Sequence, residues 1–191
     1  MATEPKKTTG LTYEDLVEMF PEDDKTFREL IDGELVVSPP PATRHQEAVL
    51  ELGSRLLAWC KEHGGKVYVA PTGVFFSDAN FVEPDVLFVS PEHVDRVERP
   101  FVRGAPDLVV EVSSPSTRRL ELFRKKELYE RFSVPEYWEV DLDADRVEVY
   151  RLEEGRFGAP LFLGRGEVLG PPGIPGFSIS VDELLGPPPE A

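Results

Sequence analysis

Leu108, Val109, Val110 and Val112 make an apolar run bounded by Asp107 and Ser113 and broken once, by Glu111. A run of this length and composition reads as a strand covered on both faces. Such a strand needs packed layers on either side; the alternative that Glu111 leaves open is a half-exposed strand or a structural ion pair. Period-two geometry sets Glu111 on one face with Val109 and Ser113. A carboxylate there is costly unless it is paired, hydrogen-bonded or bound to a metal.

The rest of the chain supplies the covering layers. Residues 43–63 form the clearest helix, with Val49, Leu52, Leu56, Trp59 and Cys60 on one stripe, a Thr43/Gln46 capping box and a Gly64-Gly65 stop. Strand-like runs follow at 66–76, 84–90 and 107–113. A second helix fits 116–132, and two strands fit 136–142 and 146–152. A short helix at 11–20 has Thr12 as its N-cap, and Asp32-Gly33 is a hairpin-type turn before a strand at 34–38. Weaker strand signals lie at 155–163 and 167–169. The order predicts a mixed α/β or α+β domain around one central mixed sheet flanked by helices. Residues 11–185 read as one domain, with flexible tails at 1–10 and, rich in proline, at 186–191.

Composition narrows the function. The 191 residues carry 21 basic and 36 acidic side chains, a formal charge of −15. Non-specific attraction to nucleic acid or to an anionic membrane is thereby excluded for the chain as a whole. Its one cysteine, Cys60, rules out an intrachain disulfide and a cysteine-based zinc site, and suits a reducing cytoplasm. No run is long enough to span a membrane. Fourteen arginines against seven lysines, with one asparagine and one glutamine, fit a heat-adapted source.

Two further residues join Glu111 as candidates. Asp85 follows Pro84 at the start of the preceding strand. Lys125 falls near the centre of the inward stripe of the second helix, among Leu122, Leu128, Tyr129 and Phe132, at 100° per residue. Snorkelling or an i, i+4 pair with Glu121 would explain a lysine there without function. An ammonium delivered to Glu111 would explain it functionally. Two carboxylates can hold Mg²⁺, an oxygen-seeking ion that keeps several waters, and a nearby ammonium can stabilise charge on a phosphoryl group. Asp107 shares a face with Glu111 but lies too far along the strand to share one small ion.

Pro84-Asp85 followed by Glu111-Val112-Ser113 resembles the PD-(D/E)XK nuclease signature, with Ser113 where the usual lysine stands. More specifically, the block from Pro106 through Ser113-Ser114-Pro115-Ser116-Thr117, then Lys125, Tyr129 and Val134-Pro135-Glu136-Tyr137-Trp138 through Asp141, resembles the bacterial Uma-type restriction endonuclease family. Asp32-Gly33-Glu34 and His45 match weaker positions, and the likeness covers roughly residues 29–184. The resemblance implies a restriction-endonuclease-like fold, Asp85 and Glu111 as ligands of Mg²⁺ or Mn²⁺, and a catalytic lysine moved to the helix at Lys125. It also implies a DNA substrate and a homodimer. Glu121 departs from the family, which often has Asp four residues before its lysine.

The remaining features are weaker. His45 reads as a packed or partly exposed structural residue, Glu34 as a strand-surface residue, and Tyr137 and Trp138 as packing on opposite strand faces. Residues 117–131 hold six basic and three acidic side chains, leaving −18 on the remainder, so this helix is the one local place that favours phosphates. The sequence therefore reads as a Mg²⁺-dependent endonuclease. The rival is a non-catalytic interaction or regulatory module that keeps the fold and an ion cluster, which the acidic surface favours. A carboxylate-pair glycosidase fits less well, because it needs no lysine between its acids.

Overall fold

The apolar run around Glu111 is a strand at the centre of a layered α+β structure. The structure, a computed structural model, describes residues 10–20, 27–38, 40–113 and 119–188, without the side chains of residues 27 and 119–121. The two expected tails, the start of the second helix and the side chain of Glu121 therefore fall wholly or mostly outside the described residues.

In chain order the elements are α1 (Tyr13–Met19), β1 (Phe27–Ile31), β2 (Glu34–Ser38), α2 (Thr43–His63), β3 (Lys66–Val69), β4 (Val74–Ser77), β5 (Asn80–Val82), β6 (Val86–Val89) and a 3₁₀ segment (Pro91–Arg96). There follow β7 (Val102–Arg103), β8 (Leu108–Ser113), α3 (Arg119–Arg131), β9 (Glu136–Asp141), β10 (Arg146–Glu153), β11 (Arg156–Phe157), β12 (Leu161–Gly164), β13 (Val168–Leu169), β14 (Ile179–Ser180) and α4 (Val181–Leu185).

The larger sheet runs β11-β10-β9-β8-β6-β3, with β12 also on β10, and it is mixed because β8 and β9 are parallel. The single sheet read from the sequence is in fact accompanied by a second, ordered β2-β1-β5-β4-β7, and by the small β13–β14 pair. The expected strand at 66–76 breaks into β3 and β4, antiparallel to different partners, because the chain turns through Pro71-Thr72-Gly73.

Alternation on β8 decides the layers. Leu108, Val110 and Val112 join Phe88, Trp138 and Val140 in a core against α2 and α4. Val109 joins Leu87, Tyr137 and Tyr150 in a second core. That core is closed by Leu128 and Tyr129 of α3 and by Ile31, Val74 and Val82 of the second sheet. Tyr137 and Trp138 thus do point to opposite faces, as their adjacency in a strand demands. On the far side of the second sheet, Leu30, Phe81 and Phe101 pack against Leu16 of α1.

Helix ends agree with the sequence in part. Thr12 caps α1 in a capping box with Asp15, and Gly64 ends α2. The expected Thr43/Gln46 box is not formed: Ala42 is the N-cap, without a side-chain bond. Asp32 and Gly33 both take positive φ (55° and 76°), the pair that a two-residue turn with the hairpin twist requires.

Candidate active site

Strand register brings the first two candidates together. β6 and β8 pair antiparallel, with Val86 opposite Val110. One residue further on each strand are Asp85 and Glu111, so their Cβ atoms are about 5 Å apart on neighbouring strands. The Val112 N–H donates to Asp85 Oδ2 at 2.7 Å, which fixes the aspartate at the strand edge.

Lys125 arrives from the helix above this face. Leu122, Leu128 and Tyr129 around it are buried, as the helical angle requires. Its ammonium lies 3.1 Å from Glu111 Oε1 and 3.2 Å from Oε2. It also lies 2.8 Å from Oε1 of Glu29, a β1 residue that sequence reasoning passes over. Glu29 accepts from the Glu83 N–H at 2.7 Å as well. Tyr129, one turn beyond Lys125, donates its hydroxyl to Glu111 Oε1 at 2.5 Å. Ser113 shares the face of Glu111, but its hydroxyl is turned to the Val140 carbonyl at 3.4 Å. The cation at this site comes from α3 and not from the strand.

His45 is packed, as the sequence reading expects, but it also has a neighbour that the sequence does not show: the ring is buried near the N-terminus of α2 with Nε2 3.1 Å from Asp85 Oδ2. Three carboxylates, from β1, the start of β6 and β8, thus meet one ammonium and one imidazole. The remaining candidates lie elsewhere. Asp107, at the other end of β8, holds the Ser90 N–H at 2.7 Å and His93 Nδ1 at 2.8 Å. Glu34 is an exposed strand residue paired with Arg124 at 2.9 Å. Lys126 stands 4.7 Å over the Tyr150 ring, away from the cluster.

Burial sets the electrostatics. Glu111 and Lys125 are 1% and 2% exposed. Burial drives the Glu111 carboxyl up to about 8; Lys125 opposes this, Asp85 and Glu29 add to it, and the Tyr129 hydroxyl opposes it again. For Lys125, burial works against the charge, yet Glu111, Glu29 and Asp85 outweigh it and hold the ammonium above its ordinary value. Asp85 is also opposed by burial, but His45, Lys125 and the Val112 N–H keep it below the usual carboxylate range. Lys125 therefore keeps its charge, while burial works against the charge on Glu111.

The arrangement suits an oxygen-seeking cation. Asp85 and Glu111 offer hard carboxylate oxygens side by side; Glu29 Oε2 and both His45 ring nitrogens are buried without a well-directed hydrogen bond, although His45 Nε2 is 3.1 Å from Asp85 Oδ2. Among the described residues no three of His, Cys, Asp or Glu stand close enough to chelate a metal by themselves. A cation here would rest on two protein carboxylates and otherwise on water and substrate, which is how Mg²⁺ is commonly bound.

The basic helix is less open than its composition implies. Arg124 donates to the Ile31 carbonyl at 3.1 Å as well as pairing with Glu34, and Arg131 pairs with Asp32 at 2.7 Å. These side chains clamp α3 to the β1–β2 hairpin, which brings Glu29 to Lys125. The phosphate-attracting face expected from 117–131 is to that extent spent inside the protein.

A family comparison agrees with this geometry. The Uma2 family, described as "Putative restriction endonuclease", matches residues 12–182. The chain belongs to the Uma2 family. A solved structure from Anabaena variabilis ATCC 29413, described as a "putative nuclease belonging to DUF820", superimposes with a TM-score of 0.76 at 19% identity. The match covers 92% of this chain and 97% of that one. At that identity the likeness shows a shared fold. No curated protein matches the chain. The Uma2 match spans every member of the cluster, from Glu29 to Tyr129. No helix among the described residues is long and apolar enough to cross a membrane.

Proposed function

We propose that this Uma2 chain is a divalent-metal-dependent endonuclease that hydrolyses phosphodiester bonds in DNA, with Asp85 and Glu111 as metal ligands and Lys125 as the catalytic cation. The observation that carries the reading is the Lys125 ammonium, buried against Glu111 on one side and Glu29 on the other, beside Asp85. A purely structural ion pair needs one carboxylate for one ammonium. Here the ammonium touches two acids, with Asp85 beside them, so a divalent cation could take the place of the proton that burial holds on Glu111.

Mg²⁺ or Mn²⁺, held by Asp85 and Glu111, would polarise the scissile phosphoryl group and lower the pKa of a water it binds. The chain's own residues do the rest. Lys125 offers its ammonium to the phosphoryl oxygens as charge grows on them. Glu29 holds Lys125 from behind, so the ammonium keeps a partner when Glu111 turns to the cation. Tyr129 fixes the rotamer of Glu111. His45 orients Asp85 through Nε2, and partners of this kind commonly change metal affinity by about 10–100-fold. His45→Asn should accordingly weaken Mn²⁺ binding by about tenfold or more. The check is titration calorimetry on the folded variant; an affinity equal to wild type would make His45 a packing residue only.

The deciding assay is nicking of supercoiled and single-stranded DNA, and of RNA, in Mg²⁺, in Mn²⁺ and in EDTA. DNA cleavage that EDTA stops and Asp85→Asn abolishes is the expected result. Absence of cleavage of every substrate in both metals would overturn the reading. The near-complete burial of Glu111 and Lys125 favours one rival, a non-catalytic module that keeps the cluster as a structural ion network. Such a module would show no metal-dependent cleavage and no metal binding at Asp85.

A further inference from the structure

α2 carries a second pattern on the face turned away from its core. Glu47, Leu50, Ser54, Leu57 and Lys61 follow one another at spacings of three and four, the repeat that lines a single seam of a helix. All five are exposed, Leu50 at 72% and Leu57 at 47%. The opposite stripe, Val49, Leu52, Leu56 and Cys60, is in the core. Beside the seam, between α2 and β3, lies an apolar groove of about 330 Å³ whose floor includes Gly53, Val67 and Val69. β3 is the edge strand of the larger sheet and is paired on one side by β6. An exposed apolar groove next to an open edge is a surface that a protein normally covers or charges.

The seam is complementary to itself. Its order is acid, leucine, serine, leucine, base, with Ser54 at the centre. An antiparallel pairing about a two-fold axis at Ser54 sets Glu47 against Lys61 of the second copy and Lys61 against its Glu47. The two leucines of each copy then meet those of the other. Neither Glu47 nor Lys61 has an ion-pair partner in its own chain among the described residues. The charges of the seam cancel, so this strip is spared the repulsion that a net charge of −15 imposes on the molecule as a whole. A closed two-fold contact requires this property, the same patch on both copies complementary to itself.

We propose that α2 pairs antiparallel with α2 of a second copy of this chain, two-fold through Ser54, the Leu50 and Leu57 side chains of each filling the groove of the other. The seam lies on the α2 side of the larger sheet, whereas Lys125 approaches from α3 on the other side. This assembly therefore leaves both α3 surfaces uncovered, and it stands or falls independently of the nuclease reading. The strip is small beside the roughly 800 Å² per partner of a standard interface, so association should be concentration-dependent.

The test uses the full-length chain in sedimentation equilibrium and oxidative crosslinking. Wild type should dimerise reversibly. Leu50→Glu with Leu57→Glu should raise the dissociation constant at least about a hundredfold, with a melting temperature within about 2 °C of wild type when both are measured dilute enough to be monomeric, because both positions are exposed in the single chain. Glu47→Lys should weaken the dimer about tenfold, and adding Lys61→Glu should restore it. Ser54→Cys should form an intermolecular disulfide readily, since Cys60 is buried and does not compete. Val168→Cys, on an exposed strand elsewhere, should not. A wild type that stays monomeric up to about 1 mM would overturn the proposal. So would a dimer indifferent to the leucine changes, a double charge swap that fails to restore association, or a Ser54→Cys variant that crosslinks no faster than Val168→Cys.

Discussion

Lys125→Met should lower stability by about 3–5 kcal/mol, the range for removing one partner of a buried ion pair. In a chain of this size that is a fall in melting temperature of about 10 °C. Methionine fills much of the space of the lysine stem, so the loss is electrostatic and not a cavity effect. It leaves Glu29 and Glu111 facing each other in the interior without the ammonium that both now contact. Two further measurements separate a metal centre from a structural pair. Mn²⁺ should raise the melting temperature of Lys125→Met by more than it raises that of wild type, because the competing ammonium is gone. DNA cleavage should fall at least about a hundredfold even at temperatures where the variant is folded, the usual loss for one preorganised electrostatic contact. A melting temperature within about 2 °C of wild type would show that the carboxylates do not depend on Lys125 at all.

Glu111→Gln should abolish cleavage and flatten the dependence of stability on pH. The folded carboxyl is pushed up to about 8 from an ordinary value of 4.5, burial being the largest cause. The folded state therefore holds a proton on Glu111 that the unfolded chain has released. Its stabilising contribution is complete below pH 4.5 and is lost as pH rises through about 8. Asp85, whose value is depressed, acts in the opposite sense, with a contribution lost in acid. The amide that replaces the carboxyl in this variant cannot ionise, yet it still accepts from Tyr129. Wild type should lose at least about 4 °C relative to Glu111→Gln between pH 5 and pH 8, a little over 1 kcal/mol. Mg²⁺ should close the gap at pH 8, because the cation replaces the proton. Parallel melting curves for the two proteins across that range, with cleavage retained, would remove Glu111 from both the titration and the mechanism.

Two of these residues are legible from local periodicity. Glu111 is visible because an acid interrupts a strand whose neighbours alternate between two cores. Lys125 is visible because four apolar neighbours, Leu122, Leu128, Tyr129 and Phe132, fix the inward face of its helix. Both signals are short-range, and both survive in the structure as read. Asp85 needs the Pro84-Asp85 resemblance, since a carboxylate at a strand start is common and only the antiparallel register sets it beside Glu111.

Glu29 is hidden for a different reason. Its strand belongs to the second sheet, and β5 and β7 of that sheet are only three and two residues long. Strands so short leave no alternation to read, so the sheet itself, and the docking of its hairpin on α3, depend on tertiary contacts. The signal available in hindsight is parity, because Glu29 shares a face with Ile31, which is buried in the core under α3. Periodicity does set His45 on the buried stripe of α2, but nothing local shows that this stripe ends beside Asp85. The basic patch misleads for the same reason: charges counted along a helix do not show that Arg124 and Arg131 are bound to the hairpin opposite.

The central claim, that Asp85 and Glu111 bind one divalent cation beside Lys125, is tested most directly by anomalous diffraction at the manganese edge from crystals soaked in MnCl₂ at pH 8. The account predicts a single peak between the two carboxylates, about 2.1–2.3 Å from one oxygen of each and absent in Asp85→Asn crystals. A peak elsewhere, or none while Lys125 keeps both its contacts in crystals of a protein that cleaves DNA, would contradict it.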